Sequence, residues 1–437
     1  MCIDLVPKMY AHSLGDGPSS RDLSFLSSDE IEHLLKRGHL THMSPEQEFE
    51  NFKNLASYIL DKRIEFGKKR KKATISFILT YDCNLACSYC YQRSLQRKSN
   101  VPVMSEDFLN EFFQTYLPKI FPDVPKKNFI FLLFGGEPLL PANRSAITRI
   151  LDYAKKHAIK VSTATNTMSF ADMADLIGPK RGQIQNVQVT FDGDRLLHDQ
   201  RRTPRSGQST FDDMIDAVQQ LIRLKAHIFI RIHTHPGKLD SIEKFVEYLE
   251  KMKILGHRDV DTYFAPINTF HSDSMSAMDL EIFRRTFQKV AALTRRPPSL
   301  NLDFLADILD MQSKNFLPKV RFCSLGNGNN FIVDPLGDIY DCYEEAGHLE
   351  RRVGTLSDGM LHHFPLKETY ATRHILNIPE CLQCPVVLLC GGGCPTQARI
   401  QNGSLLSPYC LQNREYLAQT IKAYYFLNKG SATLSGA

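Results

Sequence analysis

Three cysteines stand close together in YDCNLACSYCY (81–91), at Cys83, Cys87 and Cys90. Seven more fall in the last quarter of the chain, at Cys323, Cys342, Cys381, Cys384, Cys390, Cys394 and Cys410, while Cys2 stands alone. The stretch between Cys90 and Cys323 holds none. Thiolates at such spacing can converge on one metal centre. A four-iron cubane held by only three of them keeps one iron open, as a catalytic zinc keeps a position for its substrate. A structural zinc site borrowing a distant fourth ligand fits the same three residues. The tail offers more thiolates than a single four-ligand site needs, so two centres are expected there, and a pair of zinc ribbons also satisfies that spacing.

The elements that must position these groups alternate. ISFILT (75–80), NFIFLLF (128–134), IKVSTAT (159–165), NVQVTFDG (186–193), HIFIRIH (227–233) and DVDTYFAPI (259–267) read as short strands. Helical patterns such as ITRILDYAKKH and FDDMIDAVQQLIRL lie between them. This order predicts an α/β fold, a partial (β/α)6 barrel of the TIM type. Chemistry in such barrels sits at the carboxyl ends of the strands. There stand the first cysteine group, Gly135-Gly136-Glu137, Thr165-Asn166 and Asp192-Gly193. Residues 1–72 read differently. SSDEIEHLLKRG (27–38) opens with a helix start signal, and 46–66 reads as a second helix, so a small, mainly helical segment precedes the barrel. YAHSL and RDLSFL add a weak strand pattern. Residues 73–310 are expected to form the barrel and 311–437 a cysteine-rich domain. VDPLGDIYDC (333–342) reads as a hairpin turning at Gly337 that returns Cys342 beside Cys323. The end, 413–427, has an amphipathic helical pattern.

A chain of 437 residues is long enough for two or three domains. Hydrophobic residues at 43% and charged residues at 23% are ordinary for a globular protein. A net charge of +5 is too small at this length to imply a nucleic-acid partner. The basic run Lys68-Lys69-Arg70-Lys71-Lys72 reads as a solvated linker. The opening residues show no secretory pattern, and no segment approaches the roughly 20 apolar residues that span a bilayer. A cytoplasmic protein without a membrane partner is therefore expected. In that reducing compartment the 11 cysteines read as metal ligands or catalytic groups rather than disulfides.

The motifs resemble those of the radical S-adenosylmethionine (radical SAM) superfamily. Cys83-x3-Cys87-x2-Cys90 carries an aromatic residue, Tyr89, before its third cysteine and follows the first strand. FGGEPLL (134–140) ends the second strand and ATNTM (164–168) the third, with Thr167 where glycine is commoner. VTFDGDRLLHDQRR (189–202) ends the fourth, with Thr190 in place of serine. The resemblance implies that Cys83, Cys87 and Cys90 hold a [4Fe–4S] cluster whose open iron chelates S-adenosylmethionine. Reduction would then release a 5′-deoxyadenosyl radical that abstracts hydrogen from the substrate. It also implies that Gly135 and Gly136 let the backbone approach the cofactor and that Glu137 accepts hydrogen bonds from its ammonium. Tyr89, Asn166, Thr190, Arg202 and Arg231 become further candidates for cofactor contact.

The tail resembles the SPASM extension of radical SAM enzymes that modify peptides and proteins. By that resemblance Cys323, Cys342 and Cys394 serve one auxiliary [4Fe–4S] cluster. Cys381, Cys384, Cys390 and Cys410 fill a second, which makes three clusters in all. The implied partners are a ribosomally made precursor peptide and an electron donor such as flavodoxin or ferredoxin. The implied activity is hydrogen abstraction leading to an intramolecular side-chain cross-link, carbon to carbon, sulfur or oxygen. Sulfatase-maturase-like oxidation of Cys or Ser to formylglycine, and residue excision or epimerisation, are alternatives. In the sulfatase maturases an Asp after the hairpin's second cysteine is the expected base. Tyr343 stands there, with Glu344 and Glu345 behind it.

Overall fold

The six apolar runs become six parallel strands, paired in the order in which the sequence presents them. They are β1 (Ala73–Ile78), β2 (Phe129–Phe134), β3 (Lys160–Thr165), β4 (Asn186–Phe191), β5 (His227–Thr234) and β6 (Val260–Pro266). The computed structural model describes residues 27–37, 42–95, 102–204, 207–234 and 237–266, scattered positions between 282 and 300, and 318–323, 325–326, 330–384 and 386–410. Cys2, YAHSL, RDLSFL, the helix expected at 413–427 and most of 268–320 lie outside the described residues.

The sheet is larger than six strands. β7 (Ser299–Leu300) pairs in parallel with β6, and β8 (Asn330–Val333) pairs in parallel with β1 on the opposite side. From β8 the chain turns at Gly337, with φ 80°, into antiparallel β9 (Asp338–Tyr340), as the hairpin reading requires. β10 (Gly354–Ser357) and β11 (Met360–His363) complete an 11-stranded, mostly parallel sheet.

Strand parity sorts the side chains. On β5, Ile228, Ile230 and Ile232 are fully buried. Phe191 of β4 packs on Phe211 and Phe245 from the helices Phe211–Arg223 and Leu239–Lys251. Period-two alternation therefore turns His227, Phe229, Arg231 and His233 to the other face. On β1 and β2, Phe77 and Phe131 meet edge to face at 5.3 Å, and Phe77 meets Phe112 at 5.4 Å. Such aromatic pairs add about 1 kcal/mol each beyond simple burial.

The chain divides into two compact units, each discontinuous in sequence. One comprises 70–303 and 325–371, which includes the whole sheet. The other comprises 1–69, 304–324 and 372–437. β8 to β11 join the parallel strands of the first unit. In the second unit the helix Pro45–Arg70 contributes Phe52, Ala56 and Ile59 to a core shared with Val320, Ile375, Ile378, Cys381, Val387 and Leu388. Both N-terminal helices begin on reciprocal side-chain caps. Ser27 and Glu30 exchange backbone N–H bonds at 2.8 and 3.3 Å, and Ser44 and Gln47 do so at 2.9 and 3.3 Å. The second helix runs through Lys68–Arg70, so most of the basic run is helical rather than linker. Among the described residues no helix is long and apolar enough to cross a membrane.

Candidate active site

The first cysteine loop leaves β1 and is tied down along one side by backbone. Ala86 N–H donates to Thr203 O at 2.8 Å, Ser88 N–H to Arg201 O at 3.2 Å, and Leu85 bridges Pro204. Cys83, Cys87 and Cys90 are free, partly buried thiols. Burial, then the nearby Glu137 charge and the other two sulfurs, push the Cys83 thiol up to about 12. Such a group gives up its proton at neutral pH only to a metal or a strong positive field.

Gly135 and Gly136 place the end of β2 against this loop. Gly136 N–H donates to Thr80 O and Glu137 N–H to Asp82 O, both at 2.8 Å. A Cβ on either glycine would collide with those same carbonyls, and Gly135 has a φ of 138°. The space beside these glycines is thus filled by the protein's own backbone, which suffices to require glycine without a cofactor. Glu137 is buried. Its carboxylate accepts from Leu139 N–H at 2.8 Å, Thr165 Oγ1 at 2.6 Å and Asn166 N–H at 2.7 Å. Three of roughly four acceptor positions are occupied, so Glu137 first of all joins the ends of β2 and β3. Asn166 Nδ2 lies 3.7 Å from Cys83 Sγ and 2.7 Å from Asn84 Oδ1. Thr167 is buried at a left-handed φ of 62°, which explains why glycine suits that position.

A polar network occupies the ends of β4 and β5. Arg202 Nη1 donates to the Tyr89 hydroxyl at 2.8 Å, and that hydroxyl donates to Asp192 Oδ1 at 3.1 Å. His233 Nδ1 donates to the same oxygen at 2.6 Å. Asp192 N–H meets His198 Nδ1 at 3.4 Å. Burial works against the Asp192 charge, yet His233 and Arg202 bring its carboxyl down to about 2. Burial lowers His233 to about 4 in spite of Asp192, so the pair is a carboxylate beside a neutral imidazole. Asp192 Oδ2, Arg202 Nε and Arg231 Nε are buried without partners. Two residues back along the strands, Thr190, Arg231 and Tyr263 lie side by side on β4, β5 and β6.

The structure therefore joins Cys83, Glu137 and Asn166 through one set of contacts, and Tyr89 and Arg202 through another. Electrostatic reach from Arg202 to Cys87 links the two sets. Thr190 and Arg231 stand beside them rather than in them. The orphaned carboxylate oxygen and guanidinium nitrogens fit a ligand rich in hydroxyl, ammonium and carboxylate groups. Residues 77–249 match the Radical SAM superfamily. The chain contains a radical SAM domain.

The protein is accordingly an enzyme with a radical SAM domain over residues 77–249. It is 23% identical over 329 residues to a serine-type anaerobic sulfatase-maturating enzyme of Klebsiella aerogenes, covering 72% of this chain and 77% of that one. It is 21% identical over 399 residues to the radical SAM cyclopropyl synthase TigE of Paramaledivibacter caminithermalis, covering 85% and 78%. Among solved structures, native anSMEcpe with bound AdoMet and Kp18Cys peptide is similar at a TM-score of 0.59 and 19% identity, over 82% of this chain and 99% of that one. At that identity the likeness speaks for the fold.

Sequence reasoning misses His233 in this radical SAM domain, while Asp192 and His198 fall inside the motif VTFDGDRLLHDQRR without an expected contact. The signal for His233 was parity, since HIFIRIH places it on the face of Arg231. Tyr343, in the base position, lies with its hydroxyl 2.7 Å from Ser76 Oγ and its ring 4.6 Å from Phe134. Glu345 is buried and bound by the Tyr370 hydroxyl. Asp341 takes Lys367 Nζ at 2.7 Å. Cys342 belongs to the unit of the sheet and is within electrostatic reach of Tyr91.

In the other unit, burial and the thiols of Cys390, Cys410 and Cys384 push Cys381 up to about 12. These are the four residues grouped by the SPASM resemblance. Buried Arg373 lies within reach of Cys381, Cys394, Cys323 and Cys390, and it donates to the carbonyls of Leu405, Gly392 and Ser407. Among the described residues no three His, Cys, Asp or Glu side chains converge closely enough to hold a single metal ion. Sulfurs on one zinc lie ~3.8 Å apart, whereas a cubane carries each ligand on a separate iron.

Proposed function

We propose that the protein is a peptide maturase that uses radical chemistry to form an intramolecular side-chain cross-link in a ribosomally made precursor. Cys83, Cys87 and Cys90 would hold the [4Fe–4S] cluster, and Glu137, Asn166, Thr190, Arg202 and Arg231 would bind and orient S-adenosylmethionine. Bound together, cluster and cofactor would supply radical chemistry for hydrogen abstraction from the substrate. The chain's own part is to hold the three sulfurs, fix the sulfonium and exclude water. Cys323, Cys342 and Cys394 would serve one auxiliary cluster, and Cys381, Cys384, Cys390 and Cys410 another. Flavodoxin or ferredoxin would supply the electron in the cytoplasm. A peptide substrate is supported by the peptide in the anSMEcpe structure and by the names of the curated relatives.

The observation that carries a cross-link over formylglycine is the state of Tyr343. A base must reach the proton it removes. The Tyr343 hydroxyl is held by Ser76 instead, and burial raises its pKa further. Of the neighbouring acids, Glu345 is bound to Tyr370 and Asp341 to Lys367. Mass spectrometry of candidate precursor peptides after anaerobic turnover tests this. A cross-link removes a pair of hydrogens and leaves nothing for an aldehyde-specific hydrazide to capture. A hydrazide-reactive product would assign the enzyme to formylglycine formation.

A further inference from the structure

We infer that Asp192 and His233 form a positioning pair that fixes the Tyr89 hydroxyl and, through it, holds Arg202 ready for the cofactor. The inference rests on the radical SAM chemistry proposed for this site. β4 and β5 are paired in register through Phe191 and Ile232, so Asp192 and His233 are the next residues beyond that pair, at the strands' carboxyl ends. Asp192 is fully buried and His233 nearly so. Tyr89 lies in the cysteine loop between Cys87 and Cys90. The backbone bonds from Ala86 and Ser88 hold the earlier part of that loop, while residue 89 is held by its side chain. Its ring also meets His233 edge to face, at 5.2 Å between centroids.

Donor direction explains why His233 is needed. A guanidinium and a buried carboxylate this close would ordinarily pair with each other directly. Here the imidazole N–H and the tyrosine O–H both donate to Asp192 Oδ1, and Arg202 donates to Tyr89. Arg202 Nε and Asp192 Oδ2 are thereby left without partners, although both are buried. Orphans of this kind are expensive unless a ligand satisfies them. Without the imidazole, the carboxylate is free to turn onto Arg202. That move would release Tyr89 and consume the guanidinium that the cofactor site requires. His233 touches no reacting atom in this account and acts only through Tyr89 and Arg202.

The test uses full-length protein reconstituted anaerobically with iron and sulfide. His233→Leu, His233→Asn and Tyr89→Phe are compared with the unaltered chain for iron and sulfide content. S-adenosylmethionine affinity is measured by equilibrium dialysis, and the change in the reduced cluster's EPR spectrum is followed on adding the cofactor. Loss of one charge-assisted hydrogen bond predicts binding about tenfold weaker in His233→Leu at unchanged iron content. Tyr89→Phe should match it, and the double variant should be no worse than either single change. Asn carries an N–H near the place of Nδ1, so His233→Asn should recover most of the affinity and the EPR response. Unaltered affinity and spectrum in both His233→Leu and Tyr89→Phe would overturn the inference and leave the pair as core polarity. Should His233→Leu fail to fold, Tyr89→Phe decides alone by the same criterion. Failure of the unaltered protein to take up iron or bind S-adenosylmethionine would instead defeat the radical SAM chemistry itself.

Discussion

The two cysteine regions solve one problem by different means. Around Cys83, Cys87 and Cys90 the surrounding polar groups come from the ends of neighbouring strands: Glu137 after β2, Asn166 after β3, Asp192 after β4 and His233 in β5. Every one of these side chains rests on a sheet that fixes its origin. In the unit that holds Cys381, Cys384, Cys390 and Cys394, no strand occurs among the described residues. Consecutive Gly391, Gly392 and Gly393, with φ of 70°, 91° and 73°, fold the loop, and Arg373 pins it by bonding backbone carbonyls. A site on strand ends can be tuned one side chain at a time. A site built from loop backbone depends on a few pins, and loss of one is felt throughout.

The sharpest division between the regions is functional. Cys83→Ala should abolish S-adenosylmethionine cleavage, read as loss of 5′-deoxyadenosine. Cys410→Ala should leave cleavage measurable and impair folding or product formation. Cleavage that survives the first change would show the wrong cysteine group to be catalytic. The pinning role of Arg373 predicts the next largest effect. Arg373→Met leaves three carbonyls without their buried donor and should cost roughly 3–5 kcal/mol in denaturant unfolding, with loss of the iron proposed for the tail. A loss under about 1 kcal/mol would refute the pin.

A pH dependence separates the sheet unit from the tail. Burial, then the Asp338 charge, raise the Asp334 carboxyl to about 6. Its unfolded value is near 3.9, so the folded chain binds more protons between those two pH values. Stability should therefore fall by about 3 kcal/mol as pH rises from roughly 4 to 6, and then level off. Asp334→Asn should remove that component in urea titrations at several pH values; an unchanged profile would contradict it. The smallest effect is expected at Thr167. A β-branched residue at positive φ is strained, so Thr167→Gly should raise stability by about 1 kcal/mol. A decrease would mean that the threonine side chain contributes more than its strain costs.

The central strands could be read because each carries its own period-two pattern and a polar stop. Asn186–Phe191 and His227–Thr234 coincide closely with NVQVTFDG and HIFIRIH. What could not be read is long-range pairing. NFIV at β8 is four residues long and docks beside β1, more than two hundred positions earlier, and no local pattern records that neighbour. The site shows the same split. The cysteines, Glu137, Asn166 and Arg202 announce themselves by motif. Asp192–His233 and Arg373 emerge only when distant segments meet, since a lone His or Arg in a strand or loop carries no signal of its partner. The glycine pair, expected to make room for a cofactor, first of all makes room for the Thr80 and Asp82 carbonyls.

The most direct measurement is the metal content and turnover of protein reconstituted without oxygen. With dithionite and S-adenosylmethionine, iron and inorganic sulfide should be bound and 5′-deoxyadenosine should accumulate. Protein that carries zinc in place of iron and sulfide, and forms no 5′-deoxyadenosine, would contradict the account.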